Sequence, residues 1–273
     1  MKRAVSFVCA LLIVSTIIFV RSNDKCSAVV SVLKTGNSDC IIIKTNNYNI
    51  MLDTALESSY TVIKKHLNNM NIKRLDYLIL THFDKDHIGS ASKIIKEYKP
   101  SIIFTTYPRT KIYSPAHKKL LNTFSKYSIS PTVVENTTKL TLGDVVINIY
   151  PPHSDYYVFD SSNNSSLVVT MECGTNSFFF GADIEESRIN EILNNGVKKY
   201  DVLKVPHHGI MEPNSTQLFK AVSAKYAIIT AGHKREEAVS ALKRSGSYVY
   251  STHKGVITFR CYPDYMSVSQ NLF

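Results

Sequence analysis

The sequence contains no tryptophan and only five cysteines, ten glycines and nine prolines among its 273 residues. So little glycine and proline excludes a collagen-like or low-complexity disordered chain, and so few cysteines exclude a disulfide-dense scaffold. Internal repeats and low-complexity linkers are also absent from the sequence. Because 44% of the residues are hydrophobic, a chain of this length can bury a substantial core in one domain.

Acidic residues are scarcer than basic ones. The sequence has 32 Lys and Arg and 22 Asp and Glu, which gives a formal charge of +10. Without the three basic residues of the first 22, 29 basic residues remain against 22 acidic ones, which is +7. Such a balance favours polyanionic partners, including phosphate esters and DNA, although excess lysine also simply keeps a chain soluble. No protein partner is inferred from the sequence.

Residues 1–22 are predicted to be a signal peptide, and 23–273 the domain that it exports. A basic start, Met1-Lys2-Arg3, precedes an uncharged apolar run over 4–20, and cleavage is expected after Ser22. If the leader stays uncleaved, this run is just long enough to anchor the chain in a bilayer and hold it at the membrane periphery. Either outcome predicts a secreted or extracytoplasmic location.

Four cysteines follow the leader, at Cys26, Cys40, Cys173 and Cys261. They allow three sets of disulfide pairings, among which the sequence does not choose. Their spacing matches no zinc finger, so no cysteine is expected to bind a metal. Cys40 and Cys173 lie in apolar, strand-like runs and are equally compatible with buried free thiols.

Hydrophobic periodicity predicts strands interleaved with helices in both halves of the chain. Strands are expected at 28–34, 40–45, 48–53, 75–81, 102–105, 132–135, 145–150, 167–173, 177–180, 201–205 and 227–230, and helices at 58–70, 90–98, 117–127, 185–193, 215–222 and 236–243. Residues 248–250 and 256–261 are expected to close as a hairpin. The pattern predicts an α/β fold of two packed mixed sheets flanked by helices, a four-layer αββα sandwich.

The most informative segment is Thr81-His-Phe-Asp-Lys-Asp-His-Ile-Gly89, which directly follows an apolar strand. It holds four ionisable groups within six positions, namely His82, Asp84, Asp86 and His87. Burying such groups is costly unless something compensates them, and divalent cations do so because they bind carboxylates and neutral imidazoles. The alternative is a polar loop in which Asp86 or Ser90 caps a helix.

Other predicted strands are also followed by an aspartate or a histidine. Asp53 follows one apolar run, Asp183 follows Phe-Phe-Phe-Gly-Ala, and His207-His208 follows Asp-Val-Leu-Lys-Val-Pro. A single aspartate at a strand end usually forms a turn. The recurrence of such residues over several strands indicates instead a metal centre with two ions. His66, His117 and His253 have no such context and are predicted to lie at the surface.

These motifs resemble the metallo-β-lactamase superfamily, and within it the branch of the hydrolase domain of ComEC-like DNA-uptake proteins. The resemblance covers about residues 27–261 and includes Gly36-Asn-Ser-Asp39 and Asn163-Asn-Ser-Ser-Leu-Val-Val169. It implies the αββα sandwich, with the site at one edge of the two sheets. It also implies that two divalent metal ions, Zn²⁺ or Mn²⁺, are the cofactors.

Carried over by position, the resemblance assigns the ligands. The first ion would be bound by His82 and Asp84, the second by Asp86, His87 and His208, and both by Asp183. His207 is close enough in sequence to be a ligand instead or a proton donor. Asp53, Asn164 and Lys204 would surround and orient the ligands.

The chain departs from the common superfamily pattern at two ligand positions. It has Asp84 where a histidine is usual, and Asn163-Asn164 where a further histidine ligand is usual, as in the ComEC-like branch. His153 is the only nearby histidine and is interpreted as a loop residue. The first ion would therefore be bound mainly by oxygen, which makes Mn²⁺ competitive with Zn²⁺.

These expectations predict an exported metal-dependent hydrolase, specifically a phosphodiesterase or nuclease. A hydroxide activated by both ions would attack phosphorus in line with the departing alkoxide. The candidate catalytic residues are Asp86, His207 and His233, with either histidine as the proton donor. Two alternatives stay open: a hydrolase of phosphorylcholine or other small esters, with Glu185 receiving a cationic headgroup, and a metal-poor binding protein of the same fold.

Overall fold

The computed structural model describes residues 26–107 and 113–271. The predicted leader and residues 108–112 lie outside that range. The strands are β1 Ala28–Val32, β2 Ile41–Thr45, β3 Asn49–Leu52, β4 Tyr77–Leu80, β5 Ile102–Thr105, β6 Thr132–Val133, β7 Thr138–Leu142, β8 Val145–Tyr150, β9 Val168–Cys173, β10 Asn176–Phe180, β11 Val202–Lys204, β12 Tyr226–Ile229, β13 Tyr248–Ser251, β14 Val256–Cys261 and β15 Met266–Asn271. The α-helices are α1 Tyr60–Asn69, α2 Lys85–Ile88, α3 Ala91–Tyr98, α4 Pro115–Lys126, α5 Ser161–Asn164, α6 Glu186–Asn194, α7 Ser215–Val222 and α8 Glu236–Arg244.

Within the described residues the strands form two sheets. The first has the order β15-β14-β1-β2-β3-β4-β5-β6, and the second β13-β12-β11-β10-β9-β8-β7. Each sheet is mixed: the pairs from β3 to β6 and from β10 to β13 are parallel, and the remaining pairs are antiparallel.

Three apolar clusters hold four layers together. Residues such as Ile43, Ile147 and Phe178 fill the space between the sheets. A second cluster packs α1, α3 and α4 on the outer face of the first sheet, and a third packs α6, α7 and α8 on the outer face of the second. The predicted αββα sandwich is confirmed. None of the helices in 26–107 and 113–271 combines the length and apolar character needed to cross a bilayer.

The expected closing hairpin was wrong. β13 pairs in parallel with β12 in the second sheet, whereas β14 pairs with β1 and β15 in the first. The short turn around Gly255 therefore carries the chain from one sheet to the other. Two exposed strands, β7 and β15, were also absent from the sequence prediction, because their alternating half-exposed residues carry little apolar signal.

The sheets bring the sequence motifs to one edge. Parallel strands place their carboxyl ends together, where open sheets collect functional loops. In the first sheet β3 and β4 are followed by Asp53 and Thr81, and in the second β10, β11 and β12 are followed by Asp183, His207 and Thr230.

Candidate metal centre

Four predicted ligands converge at this edge. Asp86, His87, Asp183 and His208 each offer one ligand atom, and these atoms lie within 4.8 Å of one another. Asp183 Oδ2 is at the middle, 3.0 Å from His87 Nε2 and 3.0 Å from His208 Nε2. His208 Nε2 is also 3.2 Å from Asp86 Oδ2. Except for Asp86, which is partly exposed, these residues are buried.

The donor set fits a divalent cation. Buried polar atoms are normally satisfied, yet His82 Nε2 makes no hydrogen bond to any described residue. The His82 ring lies beside the His87 ring, with the ring centroids 4.0 Å apart. Imidazole nitrogens and carboxylate oxygens are ligands that Zn²⁺ and Mn²⁺ accept. A cation bound beside His82 would satisfy that nitrogen.

Asp53 supports His87 from behind. Its Oδ2 lies 2.7 Å from His87 Nδ1, and its two oxygens accept hydrogen bonds from Thr81 N at 2.8 Å and Thr81 Oγ1 at 2.7 Å. A carboxylate on Nδ1 orients the ring and directs Nε2 toward the ligand cluster, as metal-binding histidines usually require. Burial alone would lower the pKa of His87, but Asp183 and Asp53 hold it well above its ordinary value in the metal-free chain.

A second support lies behind His208. Its Nδ1 is 3.1 Å from Thr230 Oγ1 and 3.3 Å from Asp39 Oδ1. Lys204 Nζ lies 2.5 Å from Asp39 Oδ2 and 3.4 Å from Asp183 Oδ1, with the lysine fully buried. Burial opposes the charge of His208, but Asp183 and its other acidic neighbours raise the pKa of His208 to about 10.

The ligand loops contain unusual backbone. His207 and His208 both have positive φ, 48° and 51°, between Pro206 and Gly209. Non-glycine residues rarely adopt this conformation, and it recurs at functional sites where the surrounding structure enforces it. Gly89, which ends the His-Ile-Gly motif, has no room for a side chain, because a Cβ would lie 2.5 Å from Glu57 N.

The position predicted for the first ion is more open. His82 Nε2 lies 3.8 Å from Asp84 Oδ2, and Asp84 is partly exposed. Asp84 Oδ1 accepts a hydrogen bond from Ser162 Oγ at 2.5 Å. His82 is held on its other side, with Nδ1 at 3.2 Å from both Thr81 Oγ1 and Ser166 Oγ.

Asn164 lies next to this position but faces a helix end. Its Oδ1 accepts hydrogen bonds from the main-chain N–H groups of Glu185 and Arg188, at 3.1 Å each. It therefore satisfies donors at the start of α6 that the helix itself leaves unpaired. Its neighbour Asn163 donates from Nδ2 to Glu185 Oε1 at 2.6 Å.

The two candidate proton donors lie in different surroundings. His207 Nδ1 is 3.0 Å from Glu212 Oε1 and 3.2 Å from Glu185 Oε1. Burial and the nearby Asp160 and Glu212 carboxylates raise the pKa of Glu185 to about 8, although Asn163 opposes the shift. His233 lies exposed in the loop after β12.

Four residues that contact the candidate ligands or their supports were given no role in the site by the sequence analysis. Asp39, Thr81, Thr230 and Ser166 all contact a predicted ligand or its support. Thr81 and Thr230 follow β4 and β12, so the strand-end pattern would have found them had it included hydroxyl residues.

The alternative prediction, in which Asp86 or Ser90 caps a helix, does not describe this loop, since neither side chain caps α2 or α3. The surface prediction for His117 was wrong, because this residue is buried and stacks on Phe83.

Comparison with known proteins identifies the family. The sequence profile described as "Metallo-beta-lactamase superfamily" matches residues 33–233. The chain belongs to the metallo-β-lactamase superfamily. Proteins of this superfamily bind divalent metals, often two, which agrees with the donor set at the sheet edge.

Curated proteins with similar sequences include a ComE operon protein and a recombination protein. The chain is 31% identical over 221 residues to "ComE operon protein 3" of Bacillus subtilis, covering 75% of this chain and 28% of that protein. It is 28% identical over 227 residues to "Recombination protein 2" of Haemophilus influenzae, covering 81% and 26% respectively. The resemblance stated from the motifs is thus confirmed. The chain spans little more than a quarter of the length of these relatives.

Solved structures share the fold at low sequence identity. The metallo-beta-lactamase fold protein YhfI from Bacillus subtilis superposes with a TM-score of 0.56 at 12% identity, covering 89% of this chain and all of that one. CmlA, a diiron beta-hydroxylase from Streptomyces venezuelae, superposes with a TM-score of 0.55 at 12% identity, covering 87% and 55%. These similarities support the fold alone.

Metal uptake is expected to release about two protons per chain near neutral pH. The raised pKa values of His87 and His208 keep both rings protonated in the metal-free chain, whereas a metal binds only neutral imidazole. The affinity for the metal should therefore rise with pH until both rings are deprotonated in the metal-free chain. Titration calorimetry in buffers of different ionisation enthalpy measures the proton count, and a count of zero would contradict the assignment of these rings as ligands.

Proposed function

We propose that the chain is an exported metal-dependent phosphodiesterase that cleaves DNA. The observation that carries the proposal is the convergence of Asp86, His87, Asp183 and His208 from three separate segments, with ligand atoms within 4.8 Å. Structural ion pairs rarely need so many buried imidazoles and carboxylates around one point. Superfamily membership supports hydrolysis as the reaction class.

Two bound cations would acidify a water molecule and stabilise negative charge on the phosphoryl oxygens. His82, Asp84 and Asp183 would hold one of them, and Asp86, His87, His208 and Asp183 the other. Other residues of the chain would bind the substrate. A cleft of about 640 Å³ opens beside Asp84 and Asp86, and Lys85 and Lys119 also line it. A phosphodiester bound there would lie next to the ligands.

His207 is the better placed proton donor. It adjoins His208 in the chain, and Glu185 and Glu212 hold its Nδ1, so a proton for the leaving alkoxide would come from Nε2. Lys204 is not available for substrate, because it is fully buried between Asp39 and Asp183. Its role in the proposal is to hold those two carboxylates.

Two observations favour DNA over a small ester. Recombination, the process named in one of the curated relatives, handles DNA. A basic patch also lies next to the site, and it consists of Lys34, His233, Lys234, His253 and Lys254. Burial and the other four members lower the pKa of His253. The patch adjoins the loop that carries Asp39, since Gly232 N donates to Asn37 Oδ1 at 2.9 Å.

Charge reversal in the basic patch is expected to weaken DNA cleavage selectively. Lys34→Glu with Lys254→Glu should reduce the rate on plasmid DNA on the order of tenfold at low salt, because phosphate contacts dominate nucleic-acid affinity. The rate on bis-p-nitrophenyl phosphate should not change. Lys65→Glu with Lys139→Glu is the matched control, since both lysines are exposed outside the patch. An equal loss in both double variants would contradict a role for the patch.

A plasmid-nicking assay with Mn²⁺ and with Zn²⁺, run beside small diesters, tests the function itself. Metal-dependent nicking that stops with a chelator is the expected result. Turnover of small diesters without any nicking would refute the nuclease proposal.

The second candidate function is a phosphorylcholine esterase. It is favoured by the acidic recess that Glu185 and Glu212 form around His207. Release of phosphorylcholine and the free alcohol from phosphorylcholine esters in the same assay would support it.

A further inference from the structure

Two cysteines face each other between the sheets, beside the start of β10, whereas Asp183 follows the other end of that strand. Cys173 ends β9 in the second sheet, and Cys261 ends β14 in the first. Both are fully buried, and both belong to the apolar cluster that fills the space between the two sheets. Their side chains therefore point toward the same interior space from opposite sheets.

Main-chain contacts bring these two strand ends together. Asn176 Nδ2 donates to the carbonyl of Cys173 at 2.9 Å and to that of Tyr262 at 2.7 Å. One amide nitrogen reaches both carbonyls only if the strand ends are near neighbours. Thr175 N donates to Pro263 O at 2.8 Å, so the turn between β9 and β10 packs on the turn between β14 and β15.

The thiols themselves are in contact. A hydrogen bond between them lowers the pKa of Cys173 and raises that of Cys261. The other two cysteines are placed differently. Cys26 lies near Cys261, since Ser27 N donates to Cys261 O at 2.8 Å, but the Cys26 Sγ donates to Ala28 O at 3.1 Å. Cys40 packs on the helix side of the first sheet.

We propose that Cys173 and Cys261 form a disulfide that cross-links the two sheets when the chain meets an oxidising disulfide such as oxidised glutathione. One cysteine thiolate attacks the oxidant and releases one glutathione, and the second thiolate attacks the mixed disulfide and releases the other. Two electrons and two protons pass from the cysteines to the two glutathione thiols formed. Among the described cysteines, only Cys173 and Cys261 have thiols that hydrogen-bond to each other, so the structure favours this one pair.

Mass mapping of the full-length chain tests the proposal. The reduced chain is incubated with oxidised glutathione, both folded and during refolding, and free thiols are then alkylated before digestion. A Cys173–Cys261 cross-linked peptide is expected, with Cys9, Cys26 and Cys40 alkylated. Recovery of Cys26 bonded to either partner, or of five alkylated cysteines after both treatments, would overturn the proposal.

Stability supplies a second readout. Because the bond closes a long loop, oxidation should raise the Tm by about 10 °C. Cys173→Ala and Cys261→Ala should each abolish that oxidant-dependent shift, whatever their own effect on stability. Cys26→Ala and Cys40→Ala are the matched controls and should keep the shift. A shift that survives in Cys173→Ala would contradict the pairing.

Discussion

Asp183→Asn is expected to remove metal binding and to lower hydrolysis on the order of 10³-fold or more. The Asp183 side chain lies between His87 and His208, each at 3.0 Å, and is the one ligand assigned to both ions. An amide has a similar shape but no negative charge, so it binds a divalent cation weakly. Metal content and the rate on bis-p-nitrophenyl phosphate measure the two effects.

Asp264→Asn is the control for this substitution, because that carboxylate is exposed in the turn between β14 and β15. It should leave both metal content and rate unchanged. The substitution also removes an acidic partner from the His87 and His208 rings, which could destabilise the fold. Circular dichroism of Asp183→Asn therefore checks that any loss of metal binding is not caused by unfolding. A folded Asp183→Asn chain with full metal content would contradict its position at the centre of the site.

Lys204→Met is expected to lower the free energy of unfolding of the metal-free chain by about 3–5 kcal/mol. The ammonium group is fully buried, and its charge balances Asp39 at 2.5 Å and Asp183 at 3.4 Å. Removal of one partner from a buried ion pair leaves the other charge without compensation, which costs more than the pair contributes. Urea denaturation in the presence of a chelator measures the difference.

Lys198→Met is the matched control, because Lys198 pairs with Glu172 at the surface with half of its side chain exposed. It should cost less than about 1 kcal/mol. Adding Asp39→Asn to Lys204→Met should recover part of the lost stability, since the uncompensated carboxylate is then removed. Equal losses in the Lys198 and Lys204 variants would show that the buried ion pair does not stabilise the fold.

Much of the fold could be predicted from the sequence because its buried strands are nearly all apolar. The run before His82 is an example, since residues 78–80 are fully buried. The error at 248–261 has a physical cause. Two short strands joined by a tight turn suggest a hairpin, but which sheet each strand joins depends on partners far away in sequence, here β12 and β1.

The residues that converge at the sheet edge were easier to predict than the residues that contact them from behind. A histidine or aspartate at the end of an apolar strand is conspicuous, and the 82–87 segment holds four of them. Asp39 and Thr230 are not conspicuous, because an isolated Asp or Thr in a loop usually serves a turn. Their contact with His208 Nδ1 depends on three loops meeting from two sheets, which no local pattern encodes.

The number of metal ions bound per chain tests the account most directly. The chain is reconstituted with Mn²⁺ or Zn²⁺, freed of loosely bound ions by gel filtration, and analysed by elemental mass spectrometry against protein concentration. Two ions per chain are expected, with uptake abolished in Asp183→Asn. One ion would indicate that the position at His82 and Asp84 is not a metal site, and no bound ion at all would contradict the metal centre itself.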